Sequence, residues 1–134
     1  MSRSLNDLRP ECRRLADPFL DSVAAAGIDL VVTCTLRTLD EQAALYAQGR
    51  TAPGAIVTNA RPGTSAHNFG LALDVVPIVS GKPDWSGTSA VWQQVGSLGV
   101  AAGLEWAGSP GFPFVEYAHF QVPNWRTIAG LIQT

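Results

Sequence analysis

Leu5, Leu8, Cys12, Leu15, Phe19 and Val23 recur at spacings of 3, 4, 3, 4 and 4 residues, the period of a helix that buries one face. Pro10 suits the first position of a regular helix, where a missing N–H is no loss, whereas Pro18 falls inside the pattern and predicts a kink. Gly27 supplies a stop signal. The segment Ile28 to Thr35 that follows is rich in Val and Thr and reads as a buried strand. Thr38 and Glu41 have the spacing of a capping box, predicting a second helix to about Gln48 with Gly49 as its C-cap. Residues 50–69 carry Pro53, Gly54, Pro62 and Gly63 and read as a long functional loop. Leu71 to Val76 alternates as a strand, Gly81 to Gly87 reads as a turn, and Ser89 to Ala102 as a helix with Val91, Val95, Leu98 and Ala102 toward the core. Leu104 to Trp106 and Tyr117 to Val122 are short strand candidates, and Asn124 is expected to cap a final helical turn through Leu131. A helix first, then strands mixed with helices, predicts an α+β fold rather than a regular βαβ repeat.

The 134 residues, 46% hydrophobic and 15% charged, suffice for one core without disulfides or a structural metal, and no linker, repeat or low-complexity tract divides them. The expectation is a single domain over 1–134. A net charge of -2 argues against a nucleic-acid binder or a polybasic membrane-surface protein. The polar opening MSRSLNDLRP carries no secretory signal pattern, and Ser22 to Leu36 is too short and too interrupted to span a membrane. Cys12 and Cys34 form no CxxC pair and read as buried thiols.

The chain has only two histidines, and each has a carboxylate nearby in sequence. His67 lies in SAHNFGLALD, which ends at Asp74, and His119 lies in EYAHF, which begins at Glu116. Two imidazoles and one carboxylate make a three-ligand set suited to zinc, leaving a fourth position for water, as in catalytic sites. Gly70 permits a sharp backbone change between a loop-borne His67 and a strand-borne Asp74. Glu116 and His119, three apart, would point to opposite faces of a regular strand. Either Glu116 precedes the strand or a bulge re-aims one side chain. If His119 binds the metal, Glu116 would then reach the metal-bound water and act as general base.

SAHNFGLALD matches the S-x-H-x-x-G-x-A-x-D pattern of the zinc D-alanyl-D-alanine and L-alanyl-D-glutamate peptidases, which share a fold with the hedgehog signalling domain. EYAHF resembles their second motif, an acidic residue three before the last zinc ligand. The likeness extends through GIDLVVTCTLRTLDEQAALYAQGR, TNARPGTSAHN and GLEWAG, and it is strongest to the small L-alanyl-D-glutamate endopeptidases by which bacteriophages open the host wall. The resemblance implies a small, mainly antiparallel sheet flanked by helices and one catalytic Zn2+ held by His67, Asp74 and His119. It also implies Glu116 as catalytic base and Arg37 as oxyanion stabiliser, the alternative for Arg37 being a surface arginine before a helix. Ser65 would touch substrate or orient the zinc loop, while Gln42 and Trp106 are candidate substrate-binding residues whose alternative is a structural role. The Gly- and Pro-rich stretch Trp106 to Phe114 departs from the family and is expected to reshape the cleft rim.

The implied partner is the peptidoglycan stem peptide, met by a monomer with no nucleic acid, no stable membrane association and no separate wall-binding domain. Without a signal peptide, the implied route is synthesis in the host cytoplasm and holin-mediated release to the wall. Two other readings stay open: a D-Ala-D-Ala carboxypeptidase or dipeptidase of wall metabolism, and a zinc-stabilised module that binds without hydrolysis.

Overall fold

A computed structural model describes residues 1–132. After a 3-10 turn at Leu5–Asp7, helix α1 spans Pro10–Ala25, with Pro10 in its first turn as its fixed φ favours. The helix runs on through Pro18. Pro18 and Arg14, whose carbonyl loses its donor, are both exposed, so water can replace the missing bond. The fully buried line is Cys12, Ala16, Phe19 and Val23, so the small Ala16 takes the place expected of Leu15, which is half-buried. Burial pushes the Cys12 thiol up to about 12, with Asp17 adding to the effect, and both cysteines are free.

Strand β1 (Asp29–Cys34) follows. Helix α2 (Leu39–Ala47) opens with the expected box: Glu41 N–H donates to Thr38 Oγ1 at 3.1 Å and Thr38 N–H to Glu41 Oε1 at 2.9 Å. A loop and a 3-10 turn at Ala66–Phe69 lead into β2 (Ala72–Val79). Within the segment expected to be only a turn, β2 pairs with a short β3 (Lys82–Pro83) across Ser80 and Gly81, whose φ values of 52° and 77° suit a two-residue hairpin. Helix α3 (Ala90–Ala101), β4 (Glu105–Trp106), β5 (His119–Gln121) and α4 (Trp125–Ile132) complete the fold. Among the described residues no helix is long and apolar enough to cross a membrane.

The sheet is antiparallel in the order β1-β2-β5-β4, with β3 on β2. This order corrects the expectation of a buried first strand. β1 lies at the margin and is mostly half-exposed, whereas β2, flanked by β1 and β5, carries the fully buried Leu73 and Val75. Cross-strand register puts Asp74 opposite both Cys34 and His119.

Helix α3 presents Trp92, Val95, Gly96 and Gly99 to the core, while the expected Val91, Leu98 and Ala102 are only partly buried. The two glycines explain the offset, because rings of the sheet press on the helix backbone there. A Cβ on Gly96 would lie 2.3 Å from Trp106 Cε3, and one on Gly99 2.4 Å from Phe120 Cε2. Gly96→Ala therefore overpacks a buried aromatic, costing about 1–3 kcal/mol against a helix-propensity gain of at most about 1 kcal/mol. A thermal melt should show a lowered Tm; an unchanged Tm would mean that the Trp106 ring can step aside.

Candidate active site and metal centre

The site is built where three backbone devices meet. Ser65 caps the 3-10 turn by accepting from His67 N–H at 3.3 Å, and Asn68 Oδ1 returns the bond by accepting from Ser65 N–H at 3.4 Å. Gly70, at φ 67°, turns the chain out of this helix, and a Cβ there would meet the Asp7 carbonyl at 2.9 Å. The β2–β5 pairing supplies the other two members, Asp74 and His119, as direct cross-strand neighbours. Ser65 thus orients the loop that carries His67.

Three donor atoms converge. His67 Nε2 lies 3.0 Å from Asp74 Oδ1, His119 Nδ1 lies 3.3 Å from the same oxygen, and the two nitrogens are 3.2 Å apart. Zinc bonds of about 2.0–2.1 Å at tetrahedral angles place ligand atoms about 3.3 Å from one another, so this triangle fits that ion. The far sides of both rings are already committed. His67 Nδ1–H donates to the Thr35 carbonyl at 2.8 Å and His119 Nε2–H to Gln121 Oε1 at 2.9 Å, so the converging nitrogen of each ring is the one that can bind a metal once deprotonated. Gln121 is held in turn, its Nε2 donating to Glu105 Oε1 at 3.0 Å. Burial pushes the His67 pKa down, but the charge and hydrogen bond of Asp74 outweigh it and, with Cys34, carry it up to about 10. Against its own burial, the paired histidines hold Asp74 well below the usual carboxylate range. Metal entry must therefore displace a proton from this pair.

Cys34 is a neighbour that the sequence reading did not assign to the site. With His67 and Asp74 it forms a second group of ligand atoms, all within 4.8 Å of one another. Its sulfur lies 3.7 Å from His67 Nδ1, the nitrogen that Thr35 already occupies, so the His67, Asp74 and His119 set is the better converged one. The signal for Gln121 was present in the sequence, two residues beyond His119 on the same strand face. Gln121→Leu removes the partner that orients His119 and is expected to weaken zinc binding about 10–100-fold, measured by chelator competition. Unchanged affinity would reject the orienting role.

Glu116 resolves the strand-face problem by preceding β5. Its carbonyl accepts from His119 N–H at 3.1 Å in a turn, and its carboxylate, on a side chain 52% exposed, reaches to 4.0 Å from His119 Nδ1. Arg37 also faces the site, its Nη1 donating to Gln42 Oε1 at 3.0 Å, its Nη2 to Cys34 Sγ at 3.7 Å and its Nε to Met1 Sδ at 3.0 Å. Arg37, Ser65, His67, Asp74, Glu116 and His119 all line one cavity of about 1020 Å³. The Ser109 to Phe114 stretch forms part of its wall, with Phe114 5.8 Å from the His119 ring. Two candidate substrate contacts are corrected. Gln42 is fully buried, gripping Arg37 and donating to the Ala60 carbonyl at 2.8 Å. Trp106 is 5% exposed, stacked on Phe120 and donating to the Tyr117 carbonyl, so it is core.

Residues 5–106 match the family of VanY, D-alanyl-D-alanine carboxypeptidase. The chain belongs to the VanY family. The match covers His67 and Asp74 and ends before Glu116 and His119, whose place in the site rests on the geometry above. The VanY-family chain is 37% identical over 128 residues to the peptidoglycan L-alanyl-D-glutamate endopeptidase CwlK of Bacillus subtilis, covering 89% of this chain and 76% of CwlK. Its fold matches the L-Ala D-Glu endopeptidase ChiX of Serratia marcescens with a TM-score of 0.67 at 20% identity, over 96% of this chain and 91% of ChiX. It also matches a vancomycin-resistance D,D-pentapeptidase VanY solved in complex with Zn(II), with a TM-score of 0.59 at 17% identity over 95% and 79% of the two chains.

Proposed function

We propose that this VanY-family chain is a zinc peptidase that hydrolyses peptidoglycan stem peptides at the L-alanyl-D-glutamate bond. The observation that carries the reading is the triangle of ligand atoms from His67, Asp74 and His119 beside the Glu116 carboxylate in an open cavity. The 37% identity to CwlK supports the choice of bond. A zinc ion held by those three residues would supply Lewis acidity, lowering the pKa of water and polarising a peptide carbonyl. Glu116, half-exposed at the cavity wall, takes the proton of the attacking water and later delivers one to the departing amine. Arg37 keeps a second N–H on each terminal nitrogen, and with Gln42 and Cys34 fixing the guanidinium, those hydrogens are available to the developing oxyanion. Ser65 holds the His67 turn in place.

A module that only binds has no use for a carboxylate at the position of Glu116, which disfavours the non-catalytic reading. The proposal extends, as the sequence resemblance implies, to a monomer acting without stable membrane association. Its use in phage lysis, after release through a holin, is supported by the resemblance of its motifs to those of endolysins. Mass spectrometry of the products from purified peptidoglycan tests the bond. New D-glutamyl amino termini are expected, and free D-Ala with intact L-Ala–D-Glu bonds would overturn the assignment.

A further inference from the structure

Among the described residues, the cavity is lined by two arginines, Arg37 and Arg126, and by no lysine. Arg37 is held through all three guanidinium nitrogens, and its remaining N–H groups are assigned above to the developing oxyanion. Arg126, exposed on α4, has no hydrogen bond or ion pair among the described residues and lies over the Trp125 ring at 4.6 Å. Trp125 is itself 5% exposed and stacks on Phe69 at 6.0 Å and 30°. Phe69 is the last residue of the turn that carries His67. The guanidinium is therefore laid on an aromatic platform tied to the metal-binding loop, which reduces the entropy lost when it engages a ligand. Arg126, Trp125 and Thr64 also line a side pocket of about 220 Å³, so they stand at the junction of two cavities.

An anionic peptide drawn into this cavity needs a cation with free donors on its wall to bind a carboxylate that lies away from the reacting bond. Stem peptides are anionic, and their D-glutamyl residue is linked through the side-chain carboxyl, leaving its α-carboxylate free. We propose that Arg126, on its Trp125 platform, is a specificity determinant that binds this free α-carboxylate. The proposal rests on the stem-peptide reading above. A planar guanidinium matches a carboxylate in two parallel hydrogen bonds, which an amide in its place cannot accept.

The test uses two synthetic stem peptides that differ only in carrying the D-glutamyl α-carboxylate or its α-amide. With zinc-loaded wild type, kcat/KM should favour the free acid about tenfold, the size of a solvent-exposed charge-assisted contact. In Arg126→Gln the preference should fall to about one, and Arg126→Lys should restore part of it. The same ratio read as Kd by calorimetry on Glu116→Ala protein removes any dependence on turnover. Equal binding of acid and amide by wild type, or a preference that survives Arg126→Gln, would overturn the proposal. Product masses separate the two readings: cleavage at a D-Ala bond would sink the bond assignment while the acid-to-amide ratio still decides the role of Arg126.

Discussion

His119→Ala is expected to lose bound zinc and peptidoglycan hydrolysis together. The ring supplies one of three converging atoms, 3.2 Å from His67 Nε2 and 3.3 Å from Asp74 Oδ1. Structural zinc sites bind with roughly 10–16 kcal/mol in all, so one ligand of three or four accounts for about 3 kcal/mol or more, over a hundredfold in affinity. Elemental analysis after gel filtration should find little zinc. Added zinc is expected to raise the Tm of wild type by binding the folded state, and should fail to do so in the variant. A full zinc complement in the variant would remove His119 from the ligand set.

The second large effect separates chemistry from metal binding. Glu116→Ala should cut hydrolysis about a thousandfold, within the usual range of about 10²–10⁴ for a positioned acid or base, while zinc stays bound. Glu116 can be spared by the metal because its carboxylate comes no nearer than 4.0 Å to His119 Nδ1 and its side chain is 52% exposed, outside the buried triangle. The measurements are zinc content and turnover on the same preparation. Wild-type turnover with zinc confirmed would reject the general-base role. Loss of zinc along with activity would instead make Glu116 a ligand.

Features that depend on neighbouring residues were legible in the sequence. The Thr38 and Glu41 box forms as spaced, and Gly70 takes the left-handed conformation that its place between turn and strand requires. Both histidines and Asp74 come together as their motifs implied. The misses share one cause. Strand β1 reads as buried from its Val and Thr content, yet its exposure depends on having a neighbour on one side only, which composition does not encode. Gln42 and Trp106 sit near the site in the sequence patterns, but their amide and indole are consumed by Arg37, Ala60 and Tyr117. Arg126 has no motif, and only the packing of Trp125 on Phe69 brings it to the cavity.

By itself, the sequence determined the local conformations and the inventory of metal-binding groups, because caps, turns and helical periods are settled over a few residues and the chain holds just two imidazoles. The tertiary structure decided which atoms meet. Antiparallel pairing of β2 with β5 sets Asp74 against His119 across 45 positions of chain, and the Thr35 carbonyl and Gln121 select the nitrogen that each ring turns inward. Those choices depend on hydrogen-bond partners and strand register set at long range, where spacing along the chain carries no distance in space.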